Sequence, residues 1–329
     1  MTARASARAW RYRGVIKLEG IHHITAITGD APANVEFYAG VLGLRLVKKS
    51  VNQDDPTVYH LFYGDDEGSP GMDLTFFEYP GVARGTAGPG MVHRIVWRVG
   101  SSSAIGFWEE RLQQHGAEPV LVDGGLVFAD PEGLVHQLVV DSTGDAPLYA
   151  YASDIPTPHA LRGFDGVRAY TEDPQRSQAL LRDALGFTSE DGVAFEVRGE
   201  ERGSFYEYDP PPADALARSG AGTVHHVAFA STPADQEAWR ERAVSAGAHA
   251  TPVIDRFYFR SVYFREPSGV LFEIATIGPG FAVDEDAEHL GERLSLPPRF
   301  EPLRERLEAA LTPLPDPRAS ERASSAPGA

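Results

Sequence analysis

Two histidine pairs and one carboxylate stand out for chemistry. His22 and His23 sit in GIHHITAIT (20–28), and His225 and His226 sit in GTVHHVAFA (222–230). Both segments read as strands, in which successive side chains point to opposite faces. One histidine of each pair can therefore face a given site. His23 shares a face with Ile21 and Thr25, and His226 with Val224 and Ala228. Glu273 interrupts an otherwise apolar strand, between Phe272 and Ile274. A carboxylate there needs an arginine or a metal, because an unpaired buried charge is costly. His23, His226 and Glu273 make a two-histidine, one-carboxylate set. Such a set leaves positions open on an octahedral ion and is typical of Fe(II) oxygenases, while Mn(II) and Zn(II) suit the same donors.

The elements that must position these residues form a repeat. Residues 20–28 lead into a helical pattern, with Asp30 as N-cap, Val35, Tyr38, Val41 and Leu42 on one face, and Gly43 as the stop. FDGVRAYT (164–171) leads into the same grammar, with Leu181, Leu185 and Gly186. His23 corresponds to Gly166 and Leu42 to Leu185 at a constant offset. GMVHRIVWRV (90–99) likewise pairs with GTVHHVAFA, and each precedes a tryptophan-bearing helix, around Trp108 and Trp239. VFADPEGLVHQLVVD (127–141) resembles VYFREPSGVLFEIAT (262–276), each with a Pro-x-Gly turn feeding a strand. Four strand–helix–strands modules follow, each too small to bury a sheet face alone. The second module carries Arg94 and the third Gly166 where the first and fourth carry His23 and His226. At the Glu273 position the second module has Gln137 and the first has Thr75. The third has Glu207 nearby, without a histidine, which reads as a surface or structural carboxylate.

The chain resembles the vicinal-oxygen-chelate superfamily of glyoxalases, bleomycin-resistance proteins and extradiol dioxygenases, and within it the ring-cleaving hydroquinone dioxygenases. GIHHIT, GTVHHVAF, DRFYFRSVYFREPSGVLFEIAT and GPGFAVDEDAEHLGERLSLPP carry the resemblance, which spans residues 18–312. It implies an α+β fold of four βαβββ modules, paired into two curved-sheet barrels, with the first and fourth modules forming the metal site. It implies His23, His226 and Glu273 as ligands of Fe(II), or of Mn(II). His22, Thr25 and His225 match catalytic positions by adjacency, and Arg256 and Tyr263 match within the third motif. The competing readings are an ion pair of Arg256 with Asp255 or another carboxylate, and a core position for Tyr263. The implied activity is non-haem iron, extradiol-type insertion of O2 into a 1,4-dihydroxybenzene, with a small aromatic substrate and O2 as partners. Catechol cleavage, a glyoxalase-type isomerase or lyase, and a non-catalytic binding protein are the alternatives. Thr75 weighs against the glyoxalase type, which uses a second glutamate there.

Composition bounds the rest. The chain has 329 residues, 30 Lys and Arg, 47 Asp and Glu, a formal charge of -17 and no cysteine. Thiolate catalysis, disulfides and cysteine-based zinc sites are excluded. So acidic a chain lacks the footprint of a nucleic-acid binder, and no stretch reaches the ~20 apolar residues of a membrane span. A cytoplasmic protein is expected, with homo-oligomerisation compatible. Residues 1–17 form a basic leader. Residues 18–141 and 163–281 form N- and C-terminal module pairs around a linker at 142–162. Residues 282–312 form a helix-bearing extension, and 313–329 read as a disordered tail.

Overall fold

A computed structural model describes residues 16–317. The basic leader and the tail lie largely outside the described residues.

The first module comprises β1 (Ile21–Thr28), α1 (Ala31–Val35), β2 (Arg45–Val51), β3 (Tyr59–Gly64) and β4 (Asp73–Glu78). Asp30 caps α1 by accepting the Ala33 N–H at 3.1 Å. The helix then widens into a π turn, Glu36–Val41, closed by the Leu42 N–H on the Phe37 carbonyl at 2.9 Å. The sequence pattern expects a plain α-helix here. The wider turn rotates the buried face, so Phe37 and Tyr38 are buried whereas Val41 is half-buried. The third module repeats the device: Leu185 donates to the Leu180 carbonyl at 3.0 Å after a π turn at Ala179–Ala184. Gly43 and Gly186, at φ 70° and 77°, end the two turns in the left-handed conformation that glycine adopts without strain.

The second module comprises β5 (Val92–Val99), α2 (Ser102–Gln114), β6 (Val120–Val122), β7 (Gly125–Ala129) and β8 (Val135–Val140). The third contributes β9 (Leu161–Tyr170), β10 (Ala194–Arg198) and β11 (Gly203–Asp209). The fourth contributes β12 (Thr223–Ser231), α3 (Gln236–Ser245), β13 (Ile254–Asp255), β14 (Arg260–Arg265) and β15 (Leu271–Thr276). The strands form two curved sheets. One has the order β13-β14-β15-β12-β1-β4-β3-β2 and the other β10-β11-β9-β5-β8-β7-β6. The first and fourth modules therefore share one sheet, and the second and third share the other. Antiparallel β1–β12 and β5–β9 pairs form the two seams.

The parallel registers confirm the repeat residue by residue. Thr25 lies opposite Thr75, Val96 opposite Gln137, Arg168 opposite Glu207, and Ala228 opposite Glu273. In each module, the residue two beyond the His23 position faces the Glu273 position.

The convex faces carry the helices. Trp97, Trp108 and Trp239 are fully buried between helix and sheet, each such aromatic contributing about 2–3 kcal/mol by burial. A buried carboxylate also ties the helical segment of the first module to the second module's turn, and that of the third to the fourth's. Asp130 accepts from the Tyr38 hydroxyl at 2.8 Å, and Glu266 accepts from the Ser177 hydroxyl at 2.6 Å.

The C-terminal segment, ending in α4 (Arg304–Ala310), runs back over β2, where the Ser295 N–H bonds the Lys49 carbonyl at 2.8 Å. Lys48 on β2 is fully buried, donates to Asp284 at 2.8 Å and bonds Glu285. Among the described residues, no helix is long and apolar enough to cross a membrane.

Candidate metal centre

The seam between β1 and β12 assembles the histidine–glutamate set. His23 pairs with Ala228, and Thr25 with His226. Ala228 in turn pairs with Glu273 on β15. Glu273, Ala228 and His23 thus form one row across three strands, with His226 in the adjacent row. The small Ala228 side chain lets the flanking imidazole and carboxylate meet above it.

The donor atoms converge. His23 Nε2 and His226 Nε2 are 3.2 Å apart. Glu273 Oε2 lies 3.2 Å from His23 Nε2 and 2.9 Å from His226 Nε2. Three donors at right angles around one ion, each about 2.1 Å from it, stand about 3 Å apart. All three residues are buried, and neither Glu273 carboxylate oxygen has a well-formed hydrogen bond. Burial works to raise the Glu273 carboxyl, yet His23 and His226 beside it hold it well below the usual carboxylate range. A buried carboxylate and two imidazoles aimed at one point fit a divalent metal.

The second histidine of each pair supports the first. His22 Nδ1 lies 3.0 Å from His23 Nδ1, and His225 Nδ1 lies 2.8 Å from His226 Nδ1. Each contact occupies Nδ1 of the inner ring and leaves its Nε2 for the site, the role that outer hydrogen bonds play for metal-binding histidines. Burial, with His23 adding to it, pushes His22 down to about 3. His22 is buried, whereas His225 is exposed on the outer side of β12. Thr25 is fully buried, with Oγ1 2.9 Å from His226 Nε2 and 2.8 Å from Thr75 Oγ1.

Arg256 and Tyr263 line the pocket over this set. Arg256 makes a two-pronged ion pair with Asp54, at 3.0 Å on each side, and its Nε donates to the Tyr263 hydroxyl at 3.3 Å. Its partner is thus Asp54 of the first module. The neighbouring Asp255 instead accepts the Phe257 N–H at 2.8 Å. Tyr263 is half-buried and pairs with Glu273 across β14–β15. Burial, followed by the Glu273 charge, raises its phenol.

Sequence reasoning missed several pocket residues. His60, Asn52, Gln53 and Asp54 enter from β3 and the loop before it, with Phe62, Phe77, Tyr258 and Phe259 as apolar walls. Phe259 packs its ring 5.1 Å from that of His23 and 5.3 Å from that of His22. His60 carried a signal, since it breaks the apolar run YHLFYG (59–64) much as Glu273 breaks its own strand. Asp73, opposite His23 on β4, is fully buried with both carboxylate oxygens unbonded, and burial, then Asp65 and Glu273, pushes it well above the usual range.

The corresponding positions of the other sheet carry different side chains. A Cβ at Gly166 would stand 2.3 Å from the Phe205 carbonyl oxygen, so no histidine fits there. Arg94 donates to Gln137 at 3.0 Å, and Arg168 pairs with Glu207 at 2.5 Å and with Asp209 at 2.6 Å. Glu207 is a half-exposed carboxylate held by Arg168.

The family model of the glyoxalase/bleomycin resistance protein/dioxygenase superfamily matches residues 20–138 and 163–274, two stretches that together take in all four modules. The chain belongs to this superfamily. MhqA of Bacillus subtilis (strain 168), provisionally named a ring-cleaving dioxygenase, is 39% identical over 315 residues, covering 91% of this chain and 100% of MhqA. The chlorohydroquinone/hydroquinone 1,2-dioxygenase of Sphingobium indicum is 30% identical over 308 residues, covering 88% of this chain and 95% of that protein. A crystal structure of a Bacillus subtilis protein provisionally named a dioxygenase superposes with a TM-score of 0.85 at 38% identity, over 92% of this chain and 99% of that one. Maize glyoxalase I, at 14% identity and a TM-score of 0.57 over 83% of this chain and 96% of its own, shares the fold. Superfamily membership accounts for the two curved sheets built from paired modules.

Proposed function

We propose that the protein is an Fe(II)-dependent dioxygenase that inserts O2 into the ring of a hydroquinone. The single observation carrying this reading is the convergence of His23 Nε2, His226 Nε2 and Glu273 Oε2, all within 3.2 Å of one another. Fe(II), or Mn(II) in its place, would supply open coordination positions and an electron path between substrate and O2.

The chain's own residues do the rest. His23, His226 and Glu273 would hold the ion. His22 and His225 orient the two imidazoles through their Nδ1 atoms. Phe62, Phe77, Tyr258 and Phe259 provide apolar walls for a planar ring and exclude water from it. Arg256 and Tyr263 place a guanidinium and a phenol where negative charge develops on substrate oxygen. The Asp54 pair holds Arg256 across the pocket mouth. The relatives named as ring-cleaving dioxygenases, one of them for chlorohydroquinone and hydroquinone, support the same reading.

Thr75 favours this over isomerase or lyase chemistry. It holds the first module's position equivalent to Glu273, where a second glutamate would add a further carboxylate for an ion, and Thr25 and Thr75 bring only hydroxyls. Catechol cleavage uses the same three donors and is the second arm of the test.

The experiment is anaerobic reconstitution with Fe(II), followed by oxygen-electrode assays on hydroquinone, methyl- and chlorohydroquinones, and catechols. Fe(II)-dependent O2 uptake with hydroquinones is expected. Preference for catechols would move the substrate assignment, and absence of uptake on every dihydroxybenzene would overturn the dioxygenase reading.

A further inference from the structure

We infer that His60, acting through Thr75, is a positioning residue that keeps the Thr25 hydroxyl a hydrogen-bond donor toward the ligand set. The inference rests on the dioxygenase reading for its consequence in turnover, and on geometry for the chain itself. Three contacts run from the pocket wall to the site. His60 Nε2 lies 3.0 Å from Thr75 Oγ1, Thr75 Oγ1 lies 2.8 Å from Thr25 Oγ1, and Thr25 Oγ1 lies 2.9 Å from His226 Nε2. Thr25 and Thr75 are both fully buried, so no solvent water competes for their hydroxyls.

Four heavy atoms make three contacts, and each hydroxyl has one hydrogen to give, so the chain can run in either of two directions. As a ligand, His226 Nε2 would give its one lone pair to the ion, which leaves the Thr25 hydroxyl beside it to serve another acceptor. With the His60 proton on Nε2, Thr75 accepts from His60 and Thr25 accepts from Thr75, and the Thr25 hydrogen is left for an oxygen of a substrate in the site. Reversal would turn the Thr25 hydroxyl toward Thr75 and leave the site without a donor. His60 is well placed for this role. Its ring packs 3.9 Å from that of Phe62 and 4.4 Å from that of Phe77, which fixes the direction of Nε2. Hydrogen bonds in such a series also polarise one another, so the first donor influences the last.

The test uses His60→Phe, His60→Gln, Thr75→Val, Thr75→Ser and the His60→Phe/Thr75→Val pair, each loaded with Fe(II) for kinetics. Hydroquinone binding to the Co(II)-loaded proteins, followed by optical titration, gives a readout independent of turnover. His60→Phe and Thr75→Val are expected to lower kcat about 10–100-fold and to weaken hydroquinone binding, with Co(II) retention unchanged. The pair should be no worse than either alone, because one chain is cut twice. His60→Gln and Thr75→Ser keep a donor and a hydroxyl, and should recover most of the loss. Full activity in His60→Phe, additive losses in the pair, or a His60→Gln as impaired as His60→Phe would each overturn the proposal. If the wild type cleaves no dihydroxybenzene, the functional reading fails, while the Co(II) titrations still decide the chain.

Discussion

His23 and His226 are 203 residues apart in the chain, and their Nε2 atoms are 3.2 Å apart. The antiparallel seam between β1 and β12 brings them together, and Glu273 arrives from the strand beside it. The candidate site therefore depends on the closing of the first and last modules into one sheet.

Replacement of Glu273 by Gln keeps the shape and removes the charge. The two imidazoles then face a neutral amide. Iron content after dialysis should fall at least about 100-fold relative to wild type, and ring cleavage with it. Elemental analysis beside O2 uptake checks this. A variant that retains iron and turnover would remove Glu273 from the ligand set.

Thr75→Glu puts a carboxylate at the first module's equivalent of Glu273. Without metal, two buried carboxylates would oppose each other, and the melting temperature should drop. With Mn(II) or Fe(II), it should recover by more than the wild type gains, while O2 uptake declines. Calorimetry with and without metal measures the difference. Equal metal-induced shifts in both proteins would show that position 75 does not reach the ion.

Lys48 secures the C-terminal segment against the first module. Among the described residues, Lys48→Met leaves the buried Glu285 with the more distant Arg293, at 3.7 Å. It also loosens Asp284, which accepts from the Tyr258 hydroxyl at 3.1 Å in the pocket wall. A loss of about 3 kcal/mol in urea unfolding is expected, as for a broken buried pair. Lys48→Met with Glu285→Gln should recover part of it. An unchanged midpoint in the single variant would contradict the tether.

Asp145 and Asp130 give opposite pH signatures. Burial works against the Asp145 charge, but Arg198, the Gly203 N–H and Arg98 outweigh it and hold the carboxyl at about 2. Its folded value is depressed, so its stabilisation is present above pH ~4 and is lost as pH falls toward 2. Asp145→Asn should lower stability at pH 7 by about 2 kcal/mol and flatten the acid limb. Asp130 is pushed up to about 6, mainly by burial. Its contribution is fullest below pH ~4 and is lost as pH rises through 6, a slope that Asp130→Asn should erase. Urea midpoints across pH 2–8 test both. A wild-type slope retained by either variant would reassign that window to other groups.

The sequence by itself determined the repeat, the three converging residues and the exclusion of thiol chemistry. These are local facts: strand alternation chooses one histidine of each pair, and aligned strands give Thr75, Gln137 and Glu207 as counterparts of Glu273. The expected helix at 31–42 was legible only in outline, because periodicity does not distinguish an α turn from the π turn that buries Phe37. The partner of Arg256 was equally hidden. Asp54 lies 202 positions away, and no local pattern links a loop of the first module to one of the fourth. The reach of His60 to Thr25 through Thr75 depends on three strands lying side by side in register, with both hydroxyls sealed from water. Sheet pairing sets that proximity. Spacing along the chain carries no record of which strands become neighbours, and only the tertiary structure decided it.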